Sequence, residues 1–176
     1  MKKIIVSIAL IALVSSVFVY FKTTTSDSNL PEPSYVPFEK QAVVGFYDWS
    51  LIGPSGDIKN LITDQGNVIL IHLWQANDSS VEELETFQKL FDDYKTKIQF
   101  YFVTEDSQIE VRKFLEQHSF TFPVYFSMSP IPAPMQSASK PFTYLLNKKG
   151  RIIIAQHDQA NWNSSLFRET IQKITK

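Results

Sequence analysis

The chain has 176 residues, 44% of them hydrophobic, which suits one globular core with an appendage and argues against extended disorder. Its formal charge of -1, from 17 basic and 18 acidic side chains, lacks the basic excess a phosphate-binding face requires, so no nucleic-acid partner is expected. It contains no cysteine, which excludes disulfides and thiolate chemistry from its own side chains while saying nothing about redox compartment.

Lys2 and Lys3 precede an uncharged, apolar-dominated run from Ile4 to Phe21, just long enough to cross a bilayer as a helix. The run ends in Val17-Phe18-Val19-Tyr20-Phe21 rather than in the small residues of a cleavage site. Residues 1–21 are therefore expected to be an uncleaved membrane anchor in preference to a cleaved signal peptide. The lysines predict a cytoplasmic N-terminus and an extracytoplasmic domain. Residues 22–40, with Thr, Ser, Asp and Asn around Pro31, Pro33 and Pro37, read as a semi-stiff tether, and the folded unit is expected over 41–176.

Val43–Asp48 and Ser50–Ile52 read as short strands, and Gly53-Pro54-Ser55-Gly56-Asp57 is dense turn chemistry, giving a hairpin-like extension. The continuous apolar run Val68–Trp74 suits a central strand covered on both faces. Val81, Leu84, Phe87, Phe91 and Tyr94 then recur at helical spacing, with Glu82, Glu83, Glu85, Lys89, Asp92 and Asp93 expected to face water. Asp78, Ser79 and Ser80 are favoured caps, and Ser79 with Glu82 or Ser80 with Glu83 fits a capping box.

Ile98–Val103 is a further strand, and Ser107 with Glu110 opens a helix expected to carry Ile109, Phe114 and Leu115 inward. Pro123–Phe126 reads as a short strand before a proline-broken loop from Ser127 to Lys140. Phe142–Asn147 and Arg151–Ala155 flank the turn Lys148-Lys149-Gly150 as a hairpin, and a last helix from Ser164 is expected to bury Leu166, Phe167, Thr170, Ile171 and Ile174. This order of elements defines an α/β layer fold.

Several separated motifs, in order, resemble the membrane-anchored, envelope-facing thioredoxin-like proteins of the TlpA/ResA type. Leu73-Trp74 matches the apolar-Trp pair ending that family's central strand, and Gln75–Val81 occupies its Cys-x-x-Cys register. Phe122-Pro123-Val124-Tyr125 is similar to its Phe-Pro-Val strand, Lys140–Ile152 to its cis-proline strand and hairpin, and Asn161-Trp162-Asn163 lies where many members have Asp-Trp. The resemblance, from about Ser50 to Ile174, implies a thioredoxin-like fold: a central mixed sheet flanked by helices, with the N-terminal hairpin and a cis bond at Lys140-Pro141. It also implies that Asp78 and Val81 stand at the two thiol positions. Neither can form a disulfide, so the family's exchange reaction loses its catalyst.

What survives is a groove beside the vacated site, formed by Trp74 as an apolar wall, Asn77, Asp78, Ser79, Ser80, Val81, Lys140 and Pro141. It is expected to take an extended protein or peptide of the cell envelope by main-chain pairing. The alternatives are an oxidoreductase role through an external thiol, an acid/base activity of Asp78, or a structural subunit of an envelope complex. His72, in the central strand, reads as a neutral, hydrogen-bonded core residue. His118 and His157 complete no ligand spacing, and Ser79 and Ser80 have no oriented His/Asp pair, so no metal, cofactor or hydrolase site is expected.

Overall fold

The computed structural model describes residues 28–44, 48–132 and 140–176. The expected anchor lies outside the described residues, as does most of the loop between Ser127 and Lys140. Among the described residues no helix is long and apolar enough to cross a membrane.

The short strands β1 (Ser50–Ile52) and β2 (Ile58–Asn60) form an antiparallel hairpin around the Gly-Pro turn. Gly56 takes φ 80 there, a left-handed conformation in which a side chain would be strained. A 3-10 turn, Leu61–Asp64, follows and is opened by Asn60, whose side chain accepts from the Ile62 amide. Then come β3 (Ile69–Leu73), helix α1 (Val81–Tyr94), β4 (Gln99–Thr104), helix α2 (Gln108–His118) and β5 (Val124–Ser127). The chain closes with β6 (Phe142–Leu146), β7 (Ile152–Gln156) and helix α3 (Ser165–Thr175).

These strands make one sheet in the order β2-β1-β5-β4-β3-β6-β7. β3, β4 and β5 run parallel, whereas β1 lies antiparallel to β5, β6 to β3 and β7 to β6. Parallel strands need crossovers, and the two amphipathic segments that become α1 and α2 supply them.

Every residue of β3 is buried, which explains an apolar run interrupted only by His72. Alternate residues serve two clusters: Leu70 and Trp74 join Leu84, Phe87, Leu90, Phe114, Phe167 and Ile171 from the three helices. Ile69, Ile71 and Leu73 join Trp49, Leu61, Tyr101 and Tyr144 on the opposite face. The capping box of α2 is formed as its sequence requires, Ser107 Oγ accepting from the Glu110 amide at 3.3 Å and Glu110 accepting from the Ser107 amide at 3.2 Å.

Several side chains depart from their expected placement. Ile109 is 82% exposed, because α2 presents Val111 and Phe114 to the sheet. Leu166 is half exposed, since Phe167 and Ile171 carry the burial of α3. Glu83, expected in water, is fully buried.

The stretch read as a tether is fastened to the domain from Ser28 onward. The Asn161 amide donates to Pro31 O at 2.7 Å, Ser164 Oγ donates to Glu32, and the Ser34 amide donates to Gln156 Oε1 at 3.0 Å. Tyr35 bridges Ile154, the Val36 amide donates to Ile153 O at 2.8 Å, and Val43 bridges Arg151, so the segment runs along the open edge of β7. An unpaired strand edge leaves a row of unsatisfied backbone groups, and this strap covers it.

Candidate functional site

The site stands at the C-terminal ends of β3 and β4, where parallel strands of an α/β sheet leave a crevice. The Trp74 amide donates to Val103 O at 3.1 Å, ending the β3–β4 ladder, and the chain then turns through Gln75–Asn77 into a 3-10 turn, Asp78–Ser80, that runs directly into α1. Leu73 pairs with Phe142, so Pro141 is brought opposite Trp74, and the Lys140–Pro141 bond is cis. The sheet register thus gathers the predicted residues from positions 74–81 and 140–141 at one end of the fold.

The turn is held by side chains. The Ala76 amide donates to Asp106 Oδ2 at 2.6 Å, Ser80 Oγ donates to Gln75 O at 2.9 Å, and Ser79 Oγ donates to Asn77 Oδ1 at 2.6 Å. Gln159 donates from its side chain to Ser79 O, and Lys140 forms an ion pair with Glu105. Asn77, Asp78 and Ser79 are exposed, while Ser80 is buried and Val81 partly so.

Two expectations fail here. Neither proposed capping box forms: α1 has no side-chain cap, Ser79 and Ser80 bond within the turn, and Glu82 turns to the strap, accepting from Ser28 Oγ at 3.1 Å and the Asn29 amide at 3.0 Å. Trp74 is no groove wall, because it is completely buried, its ring centroid 5.7 Å from Phe114 and 6.2 Å from Phe122. The strand that delivers it alternates faces, and residue 74 falls on the same face as Leu70, under α1 and α2.

Behind the turn lies a buried polar pair that the sequence reading did not assemble. His72 and Glu83 are both fully buried; His72 Nδ1 lies 2.9 Å from Thr143 Oγ1, and its Nε2 lies 3.9 Å from Glu83 Oε2. Glu83 Oε1 accepts from Trp162 Nε1 at 2.8 Å and from the Ala160 amide at 3.2 Å. Burial pushes the Glu83 carboxyl up to about 7 against the opposing pull of those two donors, and burial pushes His72 down to about 3. Both groups are therefore neutral in mildly acidic solution, a protonated carboxyl facing an unprotonated imidazole. His72 is the neutral core residue its strand position implied.

Among the described residues, no cluster of His, Asp and Glu has the arrangement of a metal site. A cavity of about 230 Å³ opens elsewhere, between α2 and the turn after β1, with Val111, Leu115, Phe122 and Phe126 in its lining. The turn at 77–81 offers backbone groups, hydroxyls and one exposed carboxylate, but no thiol and no activated nucleophile.

This arrangement, a mixed sheet with the parallel β3-α1-β4 unit followed by an antiparallel β6-β7 hairpin and a final helix, is the thioredoxin-like fold. The relatives of the chain by sequence and by structure are thioredoxin-like and thiol-disulfide oxidoreductase proteins. It is 30% identical over 110 residues to the thioredoxin-like protein YneN of Bacillus subtilis, covering 60% of this chain and 65% of that protein. The match thus spans just under two thirds of that relative. A Chlorobium tepidum protein described as a candidate thiol:disulfide interchange protein, DsbE, superposes with a TM-score of 0.61 at 18% identity, over 84% of this chain and 100% of that one. The thioredoxin domain of a thiol-disulfide oxidoreductase of Bacteroides vulgatus gives 0.58 at 17% identity, over 77% and 99%. At such identities the likeness is one of fold. No protein-family profile matches the chain.

Proposed function

We propose that the chain is a redox-inactive thioredoxin-like domain that is tethered to a membrane by residues 4–21, stands on the extracytoplasmic side, and binds an extended segment of an envelope protein. The binding face comprises Asn77, Asp78, Ser79, Ser80 and Val81 with Lys140 and Pro141; Trp74 supports it from within the core.

One observation carries this reading. The turn that would present thiols is fixed by Asp106, Gln159 and its own hydroxyls, yet it has no sulfur to present. A fixed surface loop loses little conformational entropy when a partner docks, which favours recognition even where no reaction follows. The strand ends beside it are suited to main-chain pairing with an extended peptide.

A photo-reactive amino acid placed at Asp78 in the full chain, and separately at Thr96 beyond the far end of α1, tests the reading in native membranes. One reproducible adduct from position 78, absent from position 96, is expected. Equal adducts at both positions would remove the turn as the binding face. A stoichiometric adduct from position 96 alone would favour a structural subunit docked through another surface.

A further inference from the structure

The first described residues of the strap lie beside the turn. Ser28 and Asn29 donate to Glu82, the residue after Val81, which places Ser28 at the N-terminal end of α1. Beyond it, Pro31 and Glu32 are held by Asn161 and Ser164, and residues 34–36 by Gln156 and β7. From the end of the expected span at Phe21 to Ser28 the chain reaches at most about 25 Å even if fully extended. Had the tether run free to residue 40, the reach would have been about 65 Å. The opposite end of α1 lies about 20 Å farther from the attachment point, at 1.5 Å per helical residue.

Resting on the reading of residues 4–21 as a membrane span, we propose that the strap holds the turn at 77–81 close to the bilayer, and that its occupant is an extended segment of a membrane protein emerging beside the lipid. A gap of about 25 Å accommodates a strand, whose neighbour spacing is about 4.8 Å. A folded soluble domain of 100 residues, with a radius of gyration of about 13 Å, is crowded out of it. The occupant class follows from the number of residues between the expected span and Ser28 and from the place of Ser28 beside the turn.

Because the chain has no cysteine, each introduced cysteine is unique. Full-length Asp78→Cys and Thr96→Cys proteins are reconstituted into phosphatidylcholine vesicles carrying a maleimide-headgroup lipid, and each labelling rate is divided by that with a soluble maleimide. The normalised rate at position 78 is expected to exceed that at position 96 several-fold. Releasing the strap with Glu82→Ala, Glu32→Ala and Tyr35→Ala, with folding checked by circular dichroism, should bring the two rates together. Equal rates in vesicle-bound protein, or a preference that persists after the strap is released, overturn the proposal and leave the anchor standing. Failure of the full chain to float with the vesicles overturns the anchor and the proposal together.

Discussion

At Glu83, burial favours the protonated carboxyl, while donation from Trp162 and Ala160 favours the ionised one; burial dominates. Its proton affinity rises from an ordinary 4.5 to about 7, so between those values the folded state binds a proton that the unfolded chain releases, and the Glu83 contribution to stability falls as pH rises. His72 has the opposite sign: from 6.5 it falls to about 3, so its contribution rises with pH across that window. Where the windows overlap the slopes offset, and the pair should contribute a rise below about pH 4.5, a plateau, and a loss near neutrality. Urea midpoints against pH for the parent and Glu83→Gln test this, because glutamine retains the acceptor for Trp162 and removes the titration. The variant should gain on the parent as pH rises from 4.5 to 7, and parallel profiles would contradict the assignment. Glu83→Ala, which strands two buried donors and opens a void, should cost about 2–4 kcal/mol near pH 4.5 and progressively less as pH rises toward 7. The pair was partly legible in the sequence: Glu83, Phe87, Leu90 and Tyr94 follow the same helical spacing, and all four are buried. A charged residue type outweighed that periodicity, and the neutral partners that tolerate it, His72 and Trp162, lie on distant elements that only the fold brings together.

Elements defined by strong local chemistry stood where the sequence put them. Turn residues gave the β6–β7 hairpin, Ser107 and Glu110 gave the start of α2, and Ser164, whose hydroxyl accepts from the Phe167 amide at 3.2 Å, gave the start of α3. Of the two strands read before the Gly-Pro turn only Ser50–Ile52 is seen, paired with Ile58–Asn60, while Val43 makes an isolated bridge to Arg151 and residues 45–47 lie outside the described residues. What depends on which face an element turns inward was less visible: Ile109 and Trp74 are both apolar, yet one is in solvent and the other in the core. The strap was the least legible, because its affinity for the domain resides in backbone groups and in Glu32 and Tyr35, which composition alone reads as linker. Its contribution can be measured by comparing chains beginning at Ser28 and at Gln41. Removing the segment deletes at least seven hydrogen bonds to the domain, most of them at the surface and each worth at most about 1 kcal/mol net, largely offset by the freed chain entropy, so a loss on the order of 2 kcal/mol is expected in urea unfolding. The shorter chain also uncovers part of β7, and a bare edge invites strand pairing between copies. Sedimentation should show it associating with concentration while the longer chain does not; equal stability and equal monomer content would reduce the strap to a passive contact.

The whole molecule has the thioredoxin-like scaffold and no cysteine. Disulfide exchange proceeds by attack of a thiolate on sulfur, and no electrostatic arrangement can give that role to Asp78, Ser80 or Val81. The helix N-terminus that would activate a cysteine is intact here, but with oxygen and hydrocarbon groups in front of it. Residues 28–176 should therefore leave the reduction of insulin by dithiothreitol at its uncatalysed rate, and their unfolding midpoint should be the same with and without reductant. If glutathione were added and turnover appeared, an external thiol would be binding at the turn, and the oxidoreductase alternative would replace the binding role. Rate acceleration without any added low-molecular-weight thiol other than the assay reductant, lost on Asp78→Asn with the fold preserved, would mean that the turn catalyses through its carboxylate and that the absence of cysteine had been given too much weight.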